Sequence, residues 1–167
     1  REISVQNSVF VQKEPIANLP KKYREQYSIY RQLTLDCNID SHGRIYLGFH
    51  LSHRYLHKQD ITEMWDKIKP GVKVCDYNHK QYTFVGQDHR KISDPFEPEL
   101  GGQSIIQYYV NNKKVPNKII ERVKQLPPDT LAVKVRAGKD YPFAPQLLRL
   151  QASFDHVPLE LQRLSKL

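Results

Sequence analysis

The sequence predicts an α+β domain in which short strands form a small barrel-like sheet with two inserted helices. Three observations carry this prediction: two alternating segments joined by a turn, a capped helix after them, and later short strands interrupted by two helical segments. The chain has 167 residues, of which 39% are hydrophobic, enough for one domain, or one domain with a packed accessory segment, and a buried core. It begins at Arg1 and ends inside an amphipathic run, so we expect it to be a piece of a longer protein.

A β-hairpin is the most clearly predicted element. Apolar and polar residues alternate over residues 29–39 and again over residues 45–52, which is typical of strands with one apolar face. Residues 40–43, Asp-Ser-His-Gly, have turn composition, so the two strands should pair. Before them, residues 5–11 suggest a short strand and residues 21–26 a polar helix.

The remaining elements follow from caps, breakers and periodicity. Asp60 and Glu63 fit a capping box that opens a helix, and Pro70-Gly71 ends it. A long loop is expected over residues 86–102 and another over residues 138–144. The other expected elements are strands at 72–75, 82–85, 131–135 and 146–151, and helices near 104–110, 116–123 and 158–167.

The charge of the chain favours a polyanionic partner. The net charge is +8, and residues 101–167 hold 11 basic and 5 acidic residues, an excess of +6. Such an excess promotes binding to phosphates through counterion release, although a merely solvated surface would show the same composition. Cys37 and Cys75 have no metal-binding or redox spacing. No apolar stretch approaches the ~20 residues of a membrane span, so a cytoplasmic location without membrane contact is expected.

Aromatic and basic side chains are interleaved in the second half of the chain. The aromatic residues are Tyr77, Tyr82, Phe96, Tyr108, Tyr109, Tyr141 and Phe143, and the basic ones are Lys80, Lys113, Lys114, Lys134, Arg136 and Lys139. Proteins that bind single strands stack bases on aromatic rings and hold phosphates with cations. Tyrosines that are half-buried in an ordinary core would give the same pattern, and both interpretations stay open. Tyr108 and Tyr109 lie about 100° apart on a helix, so both cannot be buried against one face.

Two clusters raise the question of metal chemistry. They are His50, His53 and His57, and Asp94, Glu97 and Glu99. His50 and His53 would point to opposite faces of a strand, and the carboxylates lie in a loop interrupted by prolines, where closeness in sequence does not ensure convergence. The sequence therefore predicts no metal site, no cofactor and no catalysis in this chain, with a metal-dependent nuclease as a less favoured alternative.

Several segments, in a fixed order, carry a family resemblance. They are GRIYLGFHLSHR at 43–54, the helix with Trp65, VCDYNHKQYTFV at 74–85, GGQSIIQYY at 101–109 and YPFAPQLLRL at 141–150. Their ordered combination resembles the PAZ region of Argonaute proteins, especially long bacterial ones, over about residues 29–167. The resemblance implies a small SH3-like or OB-like barrel with an inserted helix-containing module. It implies a linker segment with the hairpin at 1–54, a PAZ-like domain at 55–155, and the start of a following linker helix at 156–167.

The resemblance also implies a function. In the family, a cleft between barrel and module grips the 3′ end of a short single-stranded guide, DNA or RNA, and the N, MID and PIWI domains are partners in the same chain. The family's slicing carboxylates belong to PIWI, which the resembling region does not include, so no cutting is expected of these residues. A module that only packs against those domains, with a degenerate pocket, is the alternative within the family.

The residues expected to bind nucleic acid are nine. They are Tyr82, Phe96, Tyr108, Tyr109, Lys80, Lys113, Tyr141, Phe143 and Arg54. By resemblance, Tyr82 and Phe96 are the aromatics of the second barrel strand and of the module's start, and the Tyr108 hydroxyl meets the terminal phosphate. Phe143, Pro145 and Leu147 correspond to the closing wall, and Arg54 to a linker position near the guide backbone. Eukaryotic members carry a second tyrosine after the Tyr108 position; here that stretch is Asn-Asn-Lys-Lys at 111–114.

Overall fold

The computed structural model describes residues 3–164, with side chains described for residues 8–163. The strands are β1 (Ile3–Val11), β2 (Tyr27–Ile39), β3 (Ile45–Asp60), β4 (Lys73–Cys75), β5 (Gln81–Lys91), β6 (Leu131–Ala137), β7 (Lys139–Phe143) and β8 (Arg149–Ala152). The α-helices are α1 (Lys21–Arg24), α2 (Ile105–Asn111), α3 (Asn117–Lys124) and α4 (Leu159–Leu164). Three short 3-10 helices cover Ile61–Lys67, Pro145–Leu147 and Phe154–His156.

The described chain divides into two compact units. Unit 1 comprises the residues up to Lys58 and those from Gln151 onward, and unit 2 is Gln59–Leu150. The domain boundary predicted at 54/55 falls inside β3, which continues to Asp60. The assignment of the flanking segments as linkers stays a prediction.

Unit 1 is built around the predicted hairpin, which is confirmed. β2 pairs antiparallel with β3, with Ile39 opposite Ile45 and Leu33 opposite Leu51, and β1 adds to the other edge of β2. The turn forms because one carboxylate oxygen of Asp40 accepts hydrogen bonds from the amides of His42 (2.8 Å) and Arg44 (2.9 Å). Gly43 follows at φ 77°, in the left-handed region that glycine adopts without strain.

Unit 2 contains an antiparallel half-barrel of strands in the order β8-β4-β5-β6-β7, to which β8 contributes Arg149 and Leu150. Val74 of β4 lies opposite Leu150 and Tyr82, and Val135 of β6 lies opposite Phe84 and Tyr141. The apolar core beneath it includes Ile61, Val74, Phe84, Val133, Val135 and Leu148. The helix predicted after Asp60 is present as a 3-10 helix with its capping box: Thr62 donates to Asp60, and the Asp60 amide donates to Glu63.

The two predicted helices form a module inserted between β5 and β6. Ser104 caps α2, since its hydroxyl accepts from the Gln107 amide (3.1 Å) while the Gln107 side chain accepts from the Ser104 amide (2.9 Å). The module has its own core, whose members include Ile92, Phe96, Ile105, Tyr109, Val123 and Ala144. Strands with inserted helices make this an α+β fold, as predicted.

Two expected loops are wrong in part: residues 86–91 of the loop over 86–102 and residues 139–143 of the loop over 138–144 form strands. Residues 86–91 extend β5, whose pairing with β6 shifts register between Phe84 and Gly86 and again beyond Gln87. Such irregular pairing tolerates polar residues that do not alternate with apolar ones. Lys139–Phe143 forms β7, opposite β6. The expected strand over 146–151 is replaced in its first part by the 3-10 helix Pro145–Leu147.

An ion pair with a buried carboxylate fixes the start of the inserted module against β5. The Arg90 guanidinium donates from Nε and Nη2 to the two oxygens of Asp88 (3.1 and 2.9 Å) and from Nη2 to Glu99 (3.0 Å). It also lies 4.2 Å from the centroid of the Phe96 ring. Asp88 is 5% exposed, and the hydrogen bonds from Arg90 lower its pKa to about 2.

Replacing Asp88 with Asn should therefore remove a pH-dependent contribution to stability. Because the folded pKa lies below the ordinary value of ~3.9, the contribution is present above that value and is lost as the pH falls towards 2. We expect Asp88→Asn to lower the free energy of unfolding by about 2 kcal/mol near pH 7 and the difference from the native chain to shrink in acid.

Urea unfolding at neutral and acid pH, followed by the fluorescence of Trp65, the single tryptophan, measures the free energy of unfolding of unit 2. Asp66→Asn, at an exposed position of the same unit, is the matched control. A difference between native and Asp88→Asn chains that is the same in acid as at neutral pH contradicts the assignment.

Candidate nucleic-acid interface

A cleft of about 200 Å³ opens in unit 2 between the loop joining β4 to β5, strand β7 and helix α2. Six of the nine residues predicted to bind nucleic acid line it: Lys80, Tyr82, Tyr108, Tyr109, Tyr141 and Phe143. We call this cavity the tyrosine cleft. It is smaller than the ~300–1,000 Å³ of typical small-molecule sites, so it has room for one end of a chain molecule and not for a long segment.

The walls of the tyrosine cleft are aromatic rings in edge-to-face and tilted contact. On the sheet side, the Tyr82 ring lies 5.9 Å from the Tyr141 ring and 5.2 Å from the Phe143 ring. On the helix side, Tyr109 lies 6.4 Å from Tyr77 and 5.8 Å from Tyr108. Such pairs hold each other's orientation, so the walls are preorganised.

Helix geometry separates the roles of the adjacent tyrosines. Tyr109 follows Ile105 by one turn and is buried with it in the module core, whereas Tyr108 is 40% exposed. This agrees with the expectation that both could not be buried. The Tyr108 ring is thus accessible at the cleft for contact with a ligand.

Asp76 organises the loop between β4 and β5. Its Oδ1 accepts hydrogen bonds from the amides of Asn78 (2.8 Å) and Lys80 (3.0 Å), and its Oδ2 accepts from the Tyr82 hydroxyl (3.3 Å). His79 completes the tight loop at φ 63°. Burial raises the pKa of Asp76, and the three hydrogen bonds together with the charge of Lys80 act in the opposite direction.

The buried tyrosines of the cleft remain neutral hydroxyl groups at physiological pH. Burial is the largest cause that raises the pKa of Tyr82 and of Tyr109, and the negative charge of Asp76 raises both further. A neutral phenol has one hydrogen to donate, and that of Tyr82 is directed to Asp76.

Lysines make the mouth of the cleft electropositive. The Lys80 ammonium lies 5.2 Å from the centroid of the Tyr82 ring and 5.1 Å from that of Tyr141, and the Lys139 ammonium lies 5.2 Å from that of Tyr141. Lys113 is exposed in the connection after α2, directly beyond Asn112, which lines the cleft.

The structure places the other predicted residues elsewhere. Phe96 is fully buried in the module core, where its ring supports the cleft from within, and its contact with nucleic acid stays a prediction that this burial disfavours. Pro145 and Leu147, expected in the closing wall, are buried and do not line the cleft. Arg54 belongs to unit 1, where it is 6% exposed and its Nε donates to Gln32 (3.1 Å).

Sequence reasoning missed Asp76 as a site residue. The signal was present in the polar run Asp-Tyr-Asn-His-Lys at 76–80, since an Asp side chain in such a run can accept a hydrogen bond from the backbone two residues on and form an Asx turn. Its position shortly before β5, whose second residue is Tyr82, could have placed it beside the tyrosines.

Neither cluster considered for metal chemistry converges. Within residues 3–164, no three His, Cys, Asp or Glu side chains are arranged to hold a metal ion. Glu99 pairs with Arg90, and Asp94 accepts a hydrogen bond from the Lys91 amide (2.7 Å). None of the helices described is both long and apolar enough to cross a membrane.

Comparisons with known proteins identify the fold. No protein-family model matches the sequence, and no curated protein matches it significantly. The structure of Clostridium butyricum Argonaute bound to a guide DNA and a 19-mer target DNA aligns with 95% of this chain, at 20% identity and a TM-score of 0.55. The Argonaute protein from Methanocaldcoccus janaschii aligns with 84%, at 14% identity and a TM-score of 0.52. This chain covers only 22% and 20% of those two chains. It therefore has the fold of one part of the Argonaute proteins.

Proposed function

We propose that this chain is the PAZ-like guide-binding module of an Argonaute-like protein and that the tyrosine cleft holds the 3′ end of a short single strand. The observation that carries the proposal is convergence. Lys80 and Tyr82, Tyr108 and Tyr109, and Tyr141 and Phe143 come from three separate parts of the sequence and line one cavity.

The chemistry of the cleft suits a strand end. The exposed ring of Tyr108 offers a surface for a terminal base, and stacking on an aromatic ring contributes ~1–3 kcal/mol per base. Neutral phenols and the ammonium groups of Lys80, Lys113 and Lys139 suit the adjoining phosphates. Because stacking and phosphate contacts carry little base information, binding should depend weakly on sequence.

The fold of a DNA-guided relative supports the same proposal. The Clostridium butyricum protein is described with a guide DNA and a target DNA, and the present chain shares the fold of part of it. In a longer Argonaute-like chain, the N, MID and PIWI domains would be partners of this module, and any cleavage would belong to PIWI. The module itself binds without cutting.

Fluorescence anisotropy with short labelled DNA and RNA strands tests the proposal. One set has a free 3′ end, and the matched set is closed into circles of the same length and sequence. We expect tighter binding of the open strands, weakening with salt. Equal and weak binding to open and circular strands would leave only the net charge of +8 as the cause, and would favour a module that merely packs against other domains. Cleavage of the strands in magnesium or manganese would favour the nuclease.

A further inference from the structure

Asp76 gives the tyrosine cleft a feature that an ordinary phosphate site lacks. Phosphate sites are lined by donors and cations, but here a carboxylate stands in the wall. Among the described residues that line the cleft, Asp76 is the single acidic one. It is buried, so water screens its charge poorly.

One oxygen of this carboxylate can accept a further hydrogen bond. Oδ1 is occupied by two backbone amides at 2.8 and 3.0 Å. Among the described residues, Oδ2 receives one hydrogen bond, from the Tyr82 hydroxyl at 3.3 Å, longer than the ~2.7–2.8 Å usual between oxygens. A carboxylate oxygen has two acceptor sites, so Oδ2 can accept a further donor from a ligand in the cleft.

The end of a nucleic-acid strand provides such a donor only in one chemical form. A terminal sugar hydroxyl donates a hydrogen bond, whereas a terminal phosphate monoester brings up to two negative charges and oxygen acceptors. Beside a poorly screened carboxylate, the phosphate is repelled. The Lys80 ammonium, which acts on Asp76 in the opposite sense, lies over the rings of Tyr82 and Tyr141.

We infer that Asp76 is the specificity-determining residue of the tyrosine cleft: its Oδ2 accepts a hydrogen bond from the terminal sugar hydroxyl and excludes strand ends that carry a 3′-phosphate. The inference rests on the proposed function. What it adds is the residue that selects the chemistry of the strand end.

Four versions of one strand test the inference on the native chain, by anisotropy: a 3′-hydroxyl end, a 3′-deoxy end, a 3′-phosphate end and the circular form. We expect the 3′-hydroxyl end to bind about tenfold tighter than the 3′-phosphate end, a ratio that corresponds to about 1.4 kcal/mol. The 3′-deoxy end should fall between them, because it loses the donor without adding charge. A 3′-phosphate end that binds as tightly as the hydroxyl end overturns the inference.

The variant Asp76→Asn tests whether the Asp76 side chain causes this preference for the 3′-hydroxyl end. The variant keeps an oxygen for the amides of Asn78 and Lys80 but removes the charge. We expect the tenfold ratio to shrink to about threefold or less, mainly through tighter binding of the 3′-phosphate strand. A purely structural role of Asp76 would weaken both strands together and leave the ratio unchanged, which contradicts the inference.

A matched control separates local from general electrostatics. Asp140→Asn also removes one acidic charge from unit 2, at a half-buried position next to Tyr141 where the carboxylate pairs with Arg136 (2.6 Å). This variant should keep the tenfold ratio. If open strands bind no better than circles, the proposed function itself fails. If open strands are preferred but the Asp76→Asn ratio stays at tenfold, only the inference fails.

Discussion

Tyr108→Ala is expected to weaken binding of a 3′-hydroxyl strand about tenfold or more while leaving the fold intact. The ring is 40% exposed at the cleft, so its removal takes away a stacking surface of ~1–3 kcal/mol per base and opens no cavity in a core. Anisotropy titration measures the affinity, and urea unfolding followed by Trp65 measures the stability of unit 2. Tyr108 is a sharper probe than Tyr82, which is buried against Phe143 and whose truncation would damage the sheet core.

Tyr46→Ala is the matched control for this experiment. Tyr46 lies on β3 in unit 1 and is 52% exposed, so the variant removes a comparable ring outside the tyrosine cleft. Its affinity for the strand should equal that of the native chain. An unchanged affinity in Tyr108→Ala, or equal losses in both variants, would remove Tyr108 from the binding site.

Phe96→Ala is expected to reduce the free energy of unfolding of unit 2 by about 3–5 kcal/mol, as for other buried phenylalanines. The ring is fully buried beneath the Arg90 guanidinium. The backbone of Phe96 is also hydrogen-bonded: its amide donates to the Gln103 carbonyl (3.1 Å), and its carbonyl accepts from the Gly102 amide (3.0 Å). Truncation therefore leaves a cavity and loosens the segment that leads into α2.

Urea unfolding of unit 2, followed by Trp65 fluorescence, checks this value. The control Phe10→Ala, at an exposed position of β1 in unit 1, should change the free energy of unfolding of unit 2 little. A loss below about 1 kcal/mol in Phe96→Ala, typical of a surface substitution, would restore the sequence-based view of Phe96 as an accessible contact. Strand binding measured below the unfolding transition should fall less in Phe96→Ala than in Tyr108→Ala.

The hairpin and the inserted helices could be predicted because local rules decide them. The period-two alternation of β2 and β3 leaves one register that keeps apolar residues on one face, and the Asp40 turn closes it. The α2 helix has a complete capping box at Ser104 and Gln107, so residues 104–107 are enough to locate its start.

The strands β7 and the end of β5 could not be predicted because pairing partners distant in sequence decide them. Lys139–Phe143 contains a proline and begins with charged residues, which disfavour a strand locally. It becomes a strand because β6 pairs with it from Val133 to Ala137. Likewise, Gly86 and the polar residues after it join β5 through irregular pairing with β6.

The candidate site was predictable in its residue types and less so in its geometry. Interleaved tyrosines and lysines, together with the resemblance, indicated the residues that line the cleft. Burial is a property of the folded chain, so the sequence could not separate Phe96 inside the core from Tyr108 at the cleft. Asp76 was not predicted as a site residue because a single acidic residue before a turn is common. Only its hydrogen bond with the Tyr82 hydroxyl in the folded chain places it in the cleft.

Photo-crosslinking of a single strand tests most directly the claim that the tyrosine cleft holds a 3′ end. The strand carries a photoreactive base at its 3′-terminal nucleotide, and a matched strand carries it at the 5′ end. We expect the 3′ label to attach mainly to peptides covering residues 76–82, 104–113 and 139–143, and the 5′ label to spare them. Attachment of the 3′ label to the β2–β3 hairpin, or the same pattern from both labels, would contradict the account.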